Sequence, residues 1–290
     1  MKYWVLLHTT FAVYFFLLSQ VKAQDNLTLQ NVSIGGVLGN ALKISKEGRL
    51  KNIIEDEKSP LLRIFTIDTA KKSASRGWRG EVAGKWMHTS AMCLQRESDK
   101  ELETNLLRAA DFLIKNQWED GYIGTFNDTS RFNGAKRKNN QTFDLWMCGY
   151  IMQGFLQLYE LKQNPAHLSA AKKIADLAVN YFMGGNRKVV NSGPFSGMAS
   201  AAVLEHFVDL YSITKDQTYY RFCEYIINDL DKRPGSEWIK RFSQQYDAAQ
   251  IGEGKMYEMI KCLVGLAKFQ MYARKDIYGN VLENAWNEIA

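Results

Sequence analysis

The stretch FDLWMCGYIMQGFLQLYELKQNPAHLSAAKKIADLAVNYF, residues 143–182, decides the fold. Its first part, up to Leu161, is apolar nearly all round, which is the pattern of a helix covered on both sides. A short polar turn with Asn164 and Pro165 follows. The second part carries Leu168, Ala171, Ala175, Ala178 and Phe182 at spacings of three and four, one stripe on an α-helix. An enclosed helix joined to a one-faced helix is a hairpin with an inner and an outer member.

The plan recurs along the chain. AMCLQRESDKELETNLLRAADFLIKNQ (91–117), LYSITKDQTYYRFCEYIINDL (210–230) and FQMYARKDIYGNVLENAWNEI (269–289) each run from an apolar helix end through a turn with Asp or Asn into a second helix. The turns fall near residues 98, 164, 216 and 276, the spacing of repeated helical pairs. The segments 197–213 and 255–272 are enclosed helices like 143–161. Alternating enclosed and one-faced helices predict two concentric layers, an all-α (α/α)6 toroid. Such toroids close with six hairpins, and this chain supplies four and a further helix near 36–54, so the toroid is expected to be incomplete. The long connections 119–142, 184–196 and 232–254 each precede an inner helix and should gather at one mouth.

Residues 1–23 read as a secretory signal. Lys2 precedes the apolar run YWVLLHTTFAVYFFLLS, and VKA ending at Ala23 supplies small residues for cleavage. Export to the periplasm or outside the cell without a stable membrane anchor is expected, with one α/α-barrel domain over 24–290. The remaining 35 basic and 31 acidic side chains give a mild positive charge. No Lys/Arg block is long enough to follow a phosphate backbone, so nucleic acid is not an expected partner. Cys93, Cys148, Cys223 and Cys262 lie far apart in apolar helical patterns and read as buried small hydrophobes. No metal-ligand cluster is readable.

Candidate chemistry sits before and within the inner helices. GWRGEVAGKW (77–86) sets Glu81 and Lys85 between Trp78 and Trp86, aromatic faces for sugar C–H groups beside ionic groups for hydroxyls. Packed tryptophans with solvated charges are the alternative. In NQWEDGYIGTF (116–126), Gly121 ends a helix, and Trp118, Asp120 and Tyr122 form either a sugar-facing rim or an aromatic lid over that end. Asp144 and Cys148 lie one turn apart at the start of an inner helix. Asp144 reads as a site carboxylate or as one favoured by the helix dipole; no nearby group explains a Cys148 thiolate. Glu205 and Glu258 are carboxylates on enclosed helices, a costly placement unless paired or facing a cavity. Glu258, near its helix start, is the better cavity candidate, and Glu205 could equally belong to an ion pair.

GWRGEVAGKW, DGYIGTF, FDLWMCGYIMQGFLQLYE, GMASAAVLE and YEMIKCLVGLAKF, with GGVLGNALKISKEGRL at 35–50, occur in the order found in β-L-arabinofuranosidase-like glycoside hydrolases, family 127 and its relatives. Over roughly residues 35–290 the chain resembles the N-terminal part of their catalytic barrel. The resemblance implies an (α/α)6 barrel followed by β-sandwich domains. It also implies a cysteine thiolate nucleophile held with zinc by a glutamate and further cysteines, and a separate glutamate as acid/base. Neither the Glu-x-Cys segment nor the Cys-Cys pair that carries this chemistry occurs in residues 1–290. The catalytic residues, and zinc with them, are therefore expected beyond residue 290, and this chain alone is expected to be inactive. Trp78, Glu81, Lys85, Trp86, Gly121 and Tyr122 match the family.

The sequence thus predicts a secreted, glycoside hydrolase-like protein acting on glycan oligosaccharides. The expected binding residues are Trp78, Glu81, Lys85, Trp86, Trp118, Asp120, Tyr122, Asp144, Cys148 and Glu258. The missing C-terminal half or a second copy is expected to cover the open side. Two other readings stand beside it: an unsaturated uronyl hydrolase-like barrel with Asp144 as acid, and a non-catalytic glycan-binding protein. Export has a direct check. N-terminal sequencing of the secreted protein should begin at Gln24, and an intact Met1 would contradict the signal assignment.

Overall fold

The computed structural model describes residues 32–72, 79–132, 142–245, 247–273 and 276–289. A first helix, α1 (Gly36–Ser45), precedes four hairpins. They are α2 (Glu81–Arg96) with α3 (Lys100–Lys115), α4 (Asp144–Lys162) with α5 (Pro165–Val179), α6 (Leu204–Thr214) with α7 (Gln217–Asp231), and α8 (Met256–Gln270) with α9 (Gly279–Ile289). No strand occurs among the described residues. None of their helices is long and apolar enough to cross a membrane.

The turns share one chemistry. Asp99 Oδ1 accepts from the Leu102 N–H at 3.1 Å, Asn164 Oδ1 from Ala166 at 3.0 Å, and Asp216 Oδ1 from Thr218 at 2.9 Å. Each satisfies an N–H left without a partner at the helix start. Gln163 and Lys215, with φ of 52° and 58°, end α4 and α6 in the left-handed conformation that reverses the chain. In the fourth turn Asp276 Oδ1 accepts from Gly279 at 2.8 Å.

Within each pair the burial differs as the sequence pattern requires. α4 is buried on nearly every side, including Leu145, Trp146, Met147, Tyr150, Ile151 and Phe155, whereas α3 buries one stripe of Leu102, Leu106, Ala109 and Leu113. The inner helices α2, α4, α6 and α8 follow one another in chain order, with the outer helices behind them. The inner segment expected as one helix over 197–213 is broken. A short helix, Met198–Ala201, precedes α6, and Val203 accepts from the His206 N–H at 3.0 Å across the join.

Glycines set the spacing of the inner layer. A Cβ on Gly84 of α2 would lie 2.3 Å from the Tyr150 carbonyl oxygen of α4, and one on Gly154 would lie 2.8 Å from Met87 Cβ. Between α4 and α6, a Cβ on Gly149 would meet His206 Cδ2 at 2.5 Å. Between α6 and α8, one on Gly265 would meet the Glu205 nitrogen at 2.8 Å. Each successive pair of inner helices therefore crosses where one of them has no side chain.

Residues 46–55 strap the first hairpin. The Trp86 indole donates to the Leu50 carbonyl at 2.8 Å, Arg108 donates to the Glu55 carbonyl at 2.8 Å, and Lys51 pairs with Asp99 at 3.0 Å. Cys93, Cys148, Cys223 and Cys262 are free thiols, as their apolar settings suggest.

The glycine contacts are testable. Gly84→Ala should cost about 1–3 kcal/mol or more in chemical denaturation, because backbone has to move to admit the methyl. Gly48→Ala, where nothing lies within 4 Å, should be neutral or stabilising by up to about 1 kcal/mol. Equal effects at the two positions would contradict the packing argument.

Candidate functional site

The first turns of the inner helices converge on a cluster of aromatic and ionic side chains. Glu81 opens α2, Trp146 and Tyr150 stand one turn apart on α4, and Tyr257 and Glu258 lie in the first turn of α8. Lys255 precedes α8, and Phe195 lies in the connection before the 198–201 helix. Glu81 accepts from the Trp146 indole N–H on one oxygen and from Lys85 Nζ, at 2.8 Å, on the other. The Lys85 ammonium lies 4.5 Å above the Tyr150 ring, 5.1 Å from that of Tyr257 and 5.7 Å from that of Trp146. These are cation–π distances, so one ammonium ties α2 to both α4 and α8. The hydroxyls of Tyr150 and Tyr257 bond to each other at 2.8 Å. Trp146 meets both tyrosine rings edge to face, at 5.1 and 5.4 Å.

Two features of this cluster are left unmet by the fold. Tyr257 is 47% exposed. Glu258 is buried, yet among the described residues its Oε2 has no hydrogen-bond donor. Its closest cation is Lys255, at 3.9 Å. Burial pushes the Glu258 carboxyl above the usual range, and nearby Glu81 adds to the effect while Lys255 and Lys85 oppose it. An acceptor in this state is completed by a donor such as a sugar hydroxyl.

One turn deeper the ionic groups are satisfied internally. Glu205 is paired with Lys261 and with Lys268, the latter at 2.9 Å, and Lys268 also bonds both oxygens of Asp209, at 2.9 and 3.0 Å. Glu205 therefore takes its ion-pair alternative. His206 is buried against the Tyr150 ring, at a centroid distance of 5.4 Å.

Of the residues predicted from sequence, Glu81, Lys85 and Glu258 come together here. Trp78 lies outside the described residues. Trp86 is buried, with its indole spent on Leu50, because α2 turns that side toward the 46–55 strap. Trp118, Asp120, Tyr122, Asp144 and Cys148 form a separate knot between the 117–132 loop and the far side of α4. Tyr122 is fully buried and donates to Asp144 Oδ1 at 2.6 Å; Asp144 Oδ2 accepts from the Phe132 N–H at 3.0 Å. Asp120 pairs with Arg131, whose guanidinium lies 3.9 Å from the centre of the Trp118 ring and 4.0 Å from that of Tyr122. Gly121, at φ 95°, presses on α5, where a Cβ would meet the Lys173 carbonyl oxygen at 2.5 Å. Tyr122 closes an interior instead of rimming a pocket, while Trp118 is half-buried and Asp120 exposed. Asp144, with both oxygens occupied and no exposure, is not placed to protonate a substrate as the uronyl hydrolase reading requires.

Trp146, Tyr150, Tyr257, Phe195 and Lys255 were not among the sequence candidates. Trp146 and Tyr150 lie one turn apart, on the side of α4 opposite Asp144 and Cys148. That spacing was available, but a helix apolar all round gives no sign of which side faces the mouth.

Among the described residues no group of three His, Cys, Asp or Glu side chains could hold a metal ion. Burial pushes the thiols of Cys148, Cys223, Cys262 and Cys93 above their ordinary range, so each is held protonated. These residues do not fit the zinc–thiolate centre that the resemblance implies.

Comparison with known proteins follows the same line. The family model described as β-L-arabinofuranosidase, GH127 catalytic domain, matches residues 28–290. A non-reducing end β-L-arabinofuranosidase of Bifidobacterium longum subsp. longum is 24% identical over 157 residues, covering 50% of this chain and 22% of the relative. The crystal structure of a GH127 β-L-arabinofuranosidase from Geobacillus stearothermophilus T6 superimposes with a TM-score of 0.63 at 15% identity, over 86% of this chain and 43% of that one. A second GH127 β-arabinofuranosidase structure gives 0.56 at 17% identity, over 86% and 38%. The two structures show a shared fold, and the chain spans less than half the length of each of these relatives.

The buried knot has a pH signature. Burial pushes Asp144 up to about 6 from 3.8, outweighing the bonds from Tyr122 and Phe132 that favour its charged form. A carboxyl whose folded-state pKa is raised stabilises the fold below about pH 4, and that contribution is lost as pH rises toward 6. A shift of about two units corresponds to roughly 3 kcal/mol. Relative to Asp144→Asn, the wild type should lose that amount between pH 4 and pH 7 in denaturant titrations. Parallel pH profiles for the two proteins would contradict the assignment.

Proposed function

The chain belongs to the β-L-arabinofuranosidase GH127 catalytic-domain family, and on that premise we propose that it forms the sugar-binding wall of a secreted glycoside hydrolase acting on glycan oligosaccharides. The observation that carries this reading is the Glu81–Lys85–Trp146–Tyr150–Tyr257–Glu258 cluster, with a half-exposed tyrosine beside a buried carboxyl oxygen that lacks a donor among the described residues. Stacking on an aromatic face and a hydrogen bond to a carboxylate are the two contacts by which a pyranose or furanose ring is held. Arabinofuranosides are the first substrate class to test, because the named relatives act on them.

In this reading Tyr257 stacks on the sugar, and Glu258 Oε2 accepts from one of its hydroxyls. Glu81 and Lys85 hold the floor by fixing the Trp146 indole and the two tyrosine rings. The nucleophile is assigned outside the described residues, because the described cysteines are held as thiols. Zinc, when bound in such enzymes, keeps a cysteine sulfur deprotonated; no step through it is derived from these side chains.

Isothermal titration with an arabinofuranose-containing oligosaccharide tests the reading. The chain should bind, and Tyr257→Ala should weaken binding by about tenfold or more, since loss of one stacking platform costs on the order of 1–2 kcal/mol. Glu258→Gln, which retains an acceptor but loses the charge, should weaken it less than Glu258→Ala. Unchanged affinity in Tyr257→Ala, with an unchanged melting temperature, would place the sugar elsewhere.

A further inference from the structure

Two ammonium groups stand at the mouth, and they differ in how well they are met. Lys85 is hydrogen-bonded to Glu81, whose other oxygen is taken by the Trp146 indole, so that carboxylate is fully used. Lys255 is about half exposed and rests 5.2 Å from the centre of the Phe195 ring. Its acid neighbour Glu258 lies at 3.9 Å, too long for a hydrogen bond. Deeper on α8 the pattern is otherwise: Lys261 and Lys268 both hydrogen-bond to carboxylates. Among the described residues the rim thus presents a cation without a hydrogen-bonded acid next to a buried carboxyl oxygen without a donor.

A neutral sugar completes only half of this arrangement, since its hydroxyls can donate to Glu258 Oε2 but bring no charge to Lys255. A sugar acid completes both halves. Resting on the reading of this cluster as a sugar site, we propose that it prefers a glycan residue bearing a carboxylate, a glycosiduronate, with Lys255 pairing the carboxylate and Glu258 Oε2 accepting a ring hydroxyl. The Phe195 ring, 5.2 Å from the ammonium, helps to hold it at the mouth.

Titration calorimetry of the whole chain with matched pairs tests this: D-galacturonate against D-galactose, and D-glucuronate against D-glucose, with an arabinofuranose oligosaccharide as a check on the sugar site itself. At low salt the acid should bind about tenfold more tightly than its neutral counterpart, as expected for one charge-assisted contact. That ratio should shrink at high salt. Lys255→Met should bring it to about one, and Lys255→Arg should retain it, which separates a charge effect from a folding defect. Measurable but equal binding within each pair, or a preference that survives in Lys255→Met, would overturn the acid preference and leave the sugar site standing. Absence of binding to every sugar, the arabinofuranose oligosaccharide included, would overturn both.

Discussion

The close crossing of the inner helices is the constraint on which the rest depends. Gly84 lets α2 lie against the backbone of α4 at Tyr150, Gly149 lets α4 lie against His206, and Gly265 lets α8 lie against the backbone at Glu205. Helices held at such distances cannot place bulky side chains between them, so the large residues point outward to the second layer or inward to the mouth. Tyr150 does the latter. Its backbone is the surface that Gly84 touches, and its ring is the surface over which Lys85 sits. Packing and site are therefore one arrangement: a shift of α2 relative to α4 would separate Lys85 from Tyr150 and Glu81 from Trp146.

The two sides of α4 show how one helix serves two purposes. On one side Asp144 and Cys148 are buried against the 117–132 loop, with the two Asp144 oxygens taken by Tyr122 and Phe132. On the other, Trp146 and Tyr150 face α2 and α8, where among the described residues Glu258 retains an unmet acceptor and Tyr257 is half-exposed. An unmet carboxyl oxygen beside a half-exposed aromatic side chain suits a ligand.

Much of the fold was legible in the sequence. Turn residues at Asp99, Asn164 and Asp216 and the contrast between enclosed and one-faced helices located the hairpins, because capping chemistry and burial are local signals. The site was legible only in part. Glu81, Lys85 and Glu258 stood out as charges near the starts of inner helices, and that position brings them to the mouth. Trp118 and Tyr122 gave the same aromatic signal as a binding rim. What decides their fate is Arg131, nine residues after Tyr122, whose guanidinium fills the space between both rings. Such a contact is set by the path of the loop, which neither periodicity nor composition encodes. Tyr257 and Lys255 were missed for the same reason, since their meaning comes from Lys85 and Phe195, far away in the chain.

The most direct test of the proposed sugar site is an indole N–H spectrum of ¹⁵N-labelled protein, assigned by single Trp→Phe variants and titrated with an arabinofuranose oligosaccharide. The account predicts that the Trp146 resonance, anchored to Glu81 beneath Tyr257, shifts progressively while those of Trp118 and Trp86 stay in place. A titrating Trp118 resonance with a silent Trp146 would return the site to the 116–126 loop and contradict the account.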